Sequence, residues 1–134
     1  MDYRYIADGA LAAREVVAIA STSKKNDALL AIRDSMIANQ KQILAANSRD
    51  LQAGQKQALD EALLDRLQLN EERIDAMIRG VEQIVSLPDP VGEISHVTKK
   101  SSGIEVGLMR QPLGVIGIIY ESRPNVTIDA AALC

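Results

Sequence analysis

Phenylalanine and tryptophan are absent from this 134-residue chain, which has only three tyrosines. Its core must therefore be assembled from Ile, Leu, Val, Ala and Met. A single cysteine excludes an internal disulfide and fits a reducing, cytoplasmic setting. With only one histidine beside it, a protein-built zinc centre lacks donors, and no metal is expected. No apolar run approaches the roughly 20 residues that span a bilayer. The first residues, with Asp2, Arg4 and Asp8, do not form a secretory signal. No membrane partner is expected. A basic stripe is missing too. The net charge is −3; residues 1–90 carry 11 Lys+Arg against 14 Asp+Glu, and residues 91–134 carry 4 against 4. The acidity thus lies in the first part of the chain, and nothing in it invites nucleic acid.

What is present is helical periodicity up to residue 90. Ile6, Ala10, Ala13, Val17 and Ala20 recur at steps of four and three, which places them on one face of a helix over residues 3–20. Ser21, Thr22 and Ser23 stop it, and each can cap the next helix. That second helix, 24–46, carries Leu29, Ile32, Met36 and Ile43 on one stripe. Asn47 or Ser48 is expected to cap a short turn over 49–53, with Gly54 as a left-handed stop. Residues 60–67 form a short helix candidate with Leu63, Leu64 and Leu67. Asn70 reads as the N-cap of a helix over 71–86, whose buried stripe is Ile74, Met77, Ile78, Val81 and Val85. Glu71 and Glu72 suit its positive first turn. Pro88 and Pro90 end it.

After Pro90 the period changes. Residues 94–99 and 104–109 are short and rich in β-formers, and Lys100, Ser101, Ser102 and Gly103 between them signal a hairpin. Then comes an uncharged run, Pro112 to Tyr120, with β-branched residues in its middle. Glu121–Asn125 is polar, and Val126–Ala132 is again helix-forming. The order reads as buried strand, polar turn, helix start, and in parallel sheets function gathers at such a strand's carboxyl end. Residues 129–134 contain no helix stop, so the chain reads as the front part of a larger α/β protein. Three regions are expected: a helical segment over 1–90, a β-hairpin over 91–111, and over 112–134 the incomplete start of a dinucleotide-binding domain.

The stretch from Pro112-Leu-Gly-Val-Ile-Gly-Ile-Ile-Tyr-Glu-Ser-Arg-Pro-Asn-Val to Cys134 strongly resembles the signature of the gamma-glutamyl phosphate reductase family, also called glutamate-5-semialdehyde dehydrogenases, a branch of the aldehyde dehydrogenase superfamily. Ala45-Ala-Asn-Ser-Arg-Asp-Leu51, Leu64-Asp-Arg-Leu67 and Leu87-Pro-Asp-Pro-Val-Gly92 look like the same family's earlier landmarks, in order. The resemblance spans nearly the whole chain but only about the first third of a family protein. It implies an α/β architecture whose last part is the first strand–turn–helix of a Rossmann-like aldehyde dehydrogenase fold. It implies an NADPH-dependent reduction in proline biosynthesis: a cysteine thiolate beyond residue 134 attacks gamma-glutamyl phosphate, and hydride then reduces the thioester to glutamate-5-semialdehyde. It also implies a homo-oligomer, with glutamate kinase as a partner.

Within that resemblance, Tyr120, Glu121 and Ser122 correspond to a segment running beside the nicotinamide–ribose; the competing reading is an ordinary polar connector. Arg123 suits a substrate with a phosphate and an α-carboxylate, against a structural ion pair. Asn125 is the candidate catalytic residue, as an oxyanion-stabilising amide, against a helix cap. Cys134 is read as a small buried thiol rather than the nucleophile. His96 lies in a strand without partner motifs. Gly114 and Gly117 do not form a dinucleotide fingerprint and are read as permitting close backbone approach. An alternative function stays open: a self-sufficient helical interaction module using the stripes Leu29/Ile32/Met36 and Ile74/Ile78/Val81 as partner faces.

Overall fold

The computed structural model describes residues 3–134. In chain order its elements are α1 (Tyr3–Ala18), α2 (Thr22–Lys56), α3 (Glu61–Leu67), α4 (Glu71–Ser86), β1 (Ile94–Lys99), β2 (Glu105–Met109) and α5 (Pro124–Leu133). The protein is mostly helical with one two-stranded antiparallel sheet. Contacts divide it into two units. One takes in the chain up to Thr22 and Pro88–Ile116; the other is Ser23–Leu87 with Gly117–Cys134. No helix among the described residues is long and apolar enough to cross a membrane.

The second unit holds most of the buried side chains, and α4 organises it. Asn70 caps this helix as expected: its Oδ1 accepts from the Arg73 backbone N–H at 2.7 Å. Ile74, Met77 and Val81 are buried and follow one another at helical spacing. Met36 of α2 joins Ile74 and Met77, and Ile43, Leu44, Leu69, Ile78 and Ile128 of α5 pack around them. Full burial of Ile74 and Val81 contributes about 1.5–3 kcal/mol for each side chain. The helices α2 and α4 run antiparallel. Asn26 near the start of α2 donates to the Val85 carbonyl at 3.4 Å, and Arg33 reaches Glu82 at 3.5 Å.

The helix α2 is longer than its sequence suggests and passes straight through the expected turn at 47–54. Asn47 caps nothing. It is buried within α2, its amide donates to the Leu67 carbonyl at 2.8 Å, and its carbonyl oxygen accepts from the Leu69 N–H at 2.7 Å. It thus pairs with the α3–α4 connection as another backbone segment would. Gly54 does not stop the helix either. A Cβ there would lie 2.9 Å from Leu59 Cδ1 and 3.1 Å from Leu64 Cδ2, so the glycine lets two leucines close over α2. The left-handed residue is Ala58, four positions later (φ 57°). The short helix α3 is as expected, with Asp60 accepting from Leu63 N–H at 2.7 Å.

In the first unit, α1 has its expected stripe, yet none of its residues is buried; Ile6 and Val17 stay exposed. The expected hairpin is present. Its turn is closed by Lys100 N–H to the Ile104 carbonyl at 2.8 Å, with Gly103 at φ 88°. Ile94 pairs with Met109 and Ser95 with Leu108, then Thr98 with Val106 and Lys99 with Glu105. His96 and Val97 therefore face Gly107 alone, a bulge in which His96 is left-handed (φ 53°).

The expected buried strand at Pro112–Tyr120 is not formed. These residues have no regular structure and all are exposed, Leu113 and Ile119 almost completely. A strand needs a ladder partner for its backbone groups, and no described strand pairs with this run. Gly117 has no neighbour that a Cβ would meet. A Cβ on Gly114 would make only ordinary contact, so neither glycine serves close approach. Gly114 instead supplies a left-handed backbone (φ 101°). Cys134 is exposed rather than buried. The inward residues of α5 are Ile128 and Ala132, one turn apart, and Cys134 lies two positions off that line.

Candidate functional site

The polar turn Glu121–Asn125 leads into α5. Ser122 turns the chain with a left-handed backbone (φ 50°), and Pro124 opens the helix with the fixed φ that its first position favours. Arg123 occupies the cap position but makes no side-chain capping bond. Asn125 is the second residue of α5 and does not cap it. Its amide donates to Asp129 Oδ2 at 3.2 Å, one turn further along. That contact engages one amide hydrogen and leaves the second without an acceptor among the described residues. The Tyr120 and Thr127 hydroxyls are 2.5 Å apart, which fastens the residue before the turn to the helix after it.

Arg123, Asn125 and Asp129 open onto a cavity of about 440 Å³, lined also by Asp65, Arg66, Gln68, Leu69, Arg73, Ala76 and Met77. Three segments build it: the end of α3 with the loop after it, the first turns of α4, and the start of α5. Arg73 fixes the loop. Its guanidinium donates to the Asp65 backbone carbonyl, to the Gln68 carbonyl at 2.7 Å and to the Asp65 carboxylate at 2.9 Å. Asn47 holds the same loop from behind through Leu67 and Leu69. Gly80 of α4 leaves room beside Asp129, whose carboxylate oxygen would be 3.9 Å from a Cβ there.

Of the residues marked in the sequence, Arg123 and Asn125 therefore share one cavity, while Tyr120, Glu121 and Ser122 precede it and do not line it. Asp65, Arg66, Arg73 and Asp129 were not foreseen. Asp129 was legible in principle, because an amide and a carboxylate four apart on a helix are neighbours. Asp65 and Arg66 lie within the motif Leu64-Asp-Arg-Leu67, but only the tertiary structure brings α3 to α5.

No family model matches the chain. It is similar to the gamma-glutamyl phosphate reductase of Syntrophomonas wolfei, with 55% identity over 93% of this chain and 30% of that protein. The reductase of Psychrobacter cryohalolentis is 53% identical over 92% of this chain and 29% of its own length. The crystal structure of the gamma-glutamyl phosphate reductase from Thermotoga maritima superposes with a TM-score of 0.92 at 38% identity, covering 99% of this chain and 32% of that one. The Saccharomyces cerevisiae enzyme gives 0.91 at 30% identity, covering 99% and 34%. The chain thus spans about three tenths of the length of the curated relatives it matches.

Proposed function

We propose, from a chain homologous to gamma-glutamyl phosphate reductases over about three tenths of their length, that it forms the N-terminal part of such an oxidoreductase. The reaction is the NADPH-dependent reduction of gamma-glutamyl phosphate to glutamate-5-semialdehyde, a step of proline biosynthesis in the cytoplasm. The observation that carries this reading is sequence identity above one half across almost the whole chain. In the complete protein, a homo-oligomer supplied by glutamate kinase, residues 112–120 become the first strand of the dinucleotide-binding domain. Their exposed Val115, Ile116, Ile118 and Ile119 suit that role once partner strands exist.

The residues present fit one edge of a nicotinamide–ribose. Tyr120 offers a partly exposed ring, Ser122 a hydroxyl and Glu121 a carboxylate that can accept from ribose hydroxyls. NADPH, when bound, would supply the hydride that turns the acyl group into an aldehyde. Arg123 holds an anionic group of the substrate through its fork of N–H donors. Asn125 directs its remaining amide hydrogen at the acyl oxygen as negative charge develops there. Asp129 keeps that amide in place. The nucleophilic thiolate, by the family resemblance, comes from outside residues 1–134; Cys134, the chain's single cysteine, lies exposed at the end of α5.

The helical-module reading is not favoured. Met36, Ile74 and Val81 are buried within this chain and are not free for another. The test of function is NADP⁺ reduction with glutamate semialdehyde and phosphate. A protein of the relatives' full length carrying this sequence is expected to turn over. Residues 1–134 alone are expected to give no turnover above a Cys134→Ala control. Absence of activity in the long protein would refute the reading.

A further inference from the structure

The cavity contains two guanidinium groups that the chain itself leaves unoccupied. Arg73 already uses three of its N–H donors on Asp65 and Gln68. Arg66, in the last turn of α3, and Arg123, at the start of α5, line the same space, and among the described residues neither has an ion pair or side-chain hydrogen bond. We propose that Arg66 and Arg123 together bind a phosphoryl group, which makes Arg66 a second anion-binding residue of this site. The identity of the natural ligand rests on the reductase reading above; the site itself does not.

Two guanidinium groups on separate elements suit a ligand rich in acceptor oxygens and in negative charge. A phosphoryl group presents three oxygens in a tetrahedral array and can accept from two forks arriving on separate elements. The nearby carboxylates do not cancel both arginines. Asp65 is paired with Arg73, which leaves Asp129 as the other acid lining the cavity. The first turn of α5 adds its positive end. At about 440 Å³ the cavity is large enough for a phosphorylated metabolite. Two sources share this chemistry: the acyl phosphate of the substrate and the 2′-phosphate of the cofactor.

The 134-residue chain is titrated with inorganic phosphate at low ionic strength, following the arginine Nε–H and Asn125 side-chain resonances by NMR. Phosphate is expected to shift the Asn125 amide, whereas acetate at the same concentration is not. Arg66→Gln and Arg123→Gln should each weaken phosphate binding roughly tenfold. Arg66→Lys should fall between, because it keeps the charge and loses the fork. Arg79→Gln, which makes the same charge change outside the cavity, should bind as the parent does. Circular dichroism confirms that each variant is folded; all the replaced side chains are exposed. Displacement by acetyl phosphate assigns the site to the substrate, and displacement by NADP⁺ but not NAD⁺ assigns it to the cofactor. Phosphate binding by Arg66→Gln within twofold of the parent, or no binding by the parent, overturns the proposal. No turnover is read, so the two readings fail separately. Arg66-dependent phosphate binding beside an inactive full-length protein upholds the site and sinks the reductase reading. Arg66-independent binding beside an active one does the reverse.

Discussion

Two asparagines of this chain look alike in sequence and serve different ends. Asn47 is buried and uses donor and acceptor at once on Leu67 and Leu69. Asn47→Ala would leave a partly buried carbonyl and a partly buried N–H without their partner. It is expected to cost about 2–4 kcal/mol, read as a lower urea midpoint. Asn125 is exposed and, among the described residues, its side chain bonds to Asp129 alone. Because it does not cap α5, Asn125→Ala in the full-length protein should leave the melting temperature unchanged. Turnover should fall about a hundredfold, the usual effect of removing one oxyanion donor. A lower melting temperature with normal turnover would remove Asn125 from the chemistry. Sequence reasoning treated both residues as cap candidates, because asparagine favours helix starts. Only the identity of the group across the gap, 20 or more residues away for Asn47, tells the roles apart.

At the scale of elements, local signals were legible where local energetics decide. Asn70 and the stripe Ile74, Met77 and Val81 define α4 from within its own residues. The hairpin was legible from its β-formers and Gly103. The segment 112–120 forms no strand in this chain because a strand is a pairing, and composition states only the readiness to pair. The length of α2 was misread because Gly54 resembles a stop until the leucines that close over it are known. The bulge in β1 was also invisible, although it sets the side-chain pattern of the hairpin. With His96 and Val97 both opposite Gly107, Ile94 and Val97 crowd the glycine: a Cβ there would lie 3.0 Å from Ile94 Cγ2, 3.2 Å from Val97 Cγ2 and 3.3 Å from the Ser95 carbonyl oxygen. Gly107→Val is therefore expected to destabilise the hairpin by about 1–3 kcal/mol. The effect should register as faster amide exchange at Lys100 and Arg110, which are bonded across its two ends. Unchanged exchange at both would show that the bulge yields without cost.

For the whole molecule, the balance of apolar surface decides behaviour in solution. Leu113, Val115, Ile116, Ile118, Ile119 and Tyr120 form a continuous stretch of exposed apolar residues, and Ile94, Ile104 and Leu108 of the hairpin region are exposed as well. Monomers seldom leave so much uncovered, and an uncharged β-prone run pairs readily with another copy. Residues 1–134 are expected to associate as concentration rises in sedimentation experiments. Leu113→Lys with Ile119→Lys should shift the distribution toward monomer. A concentration-independent monomer for the parent would mean that this run is covered in solution.

The core cluster of the second unit has a consequence for biosynthesis. Its members arrive far apart in time: Met36 first, then Ile74 and Met77, and last Ile128 of α5. At about 5–20 residues per second, Ile128 is polymerised roughly 3–10 seconds after Met77. Through that interval α2 and α4 can pair, while the face that Ile128 will cover stays open to water. A nascent chain arrested before α5 leaves the ribosome should therefore be cut by protease within α4, and one arrested after it should resist. The order of translation, rather than the strength of any single contact, then determines when this unit becomes safe from degradation.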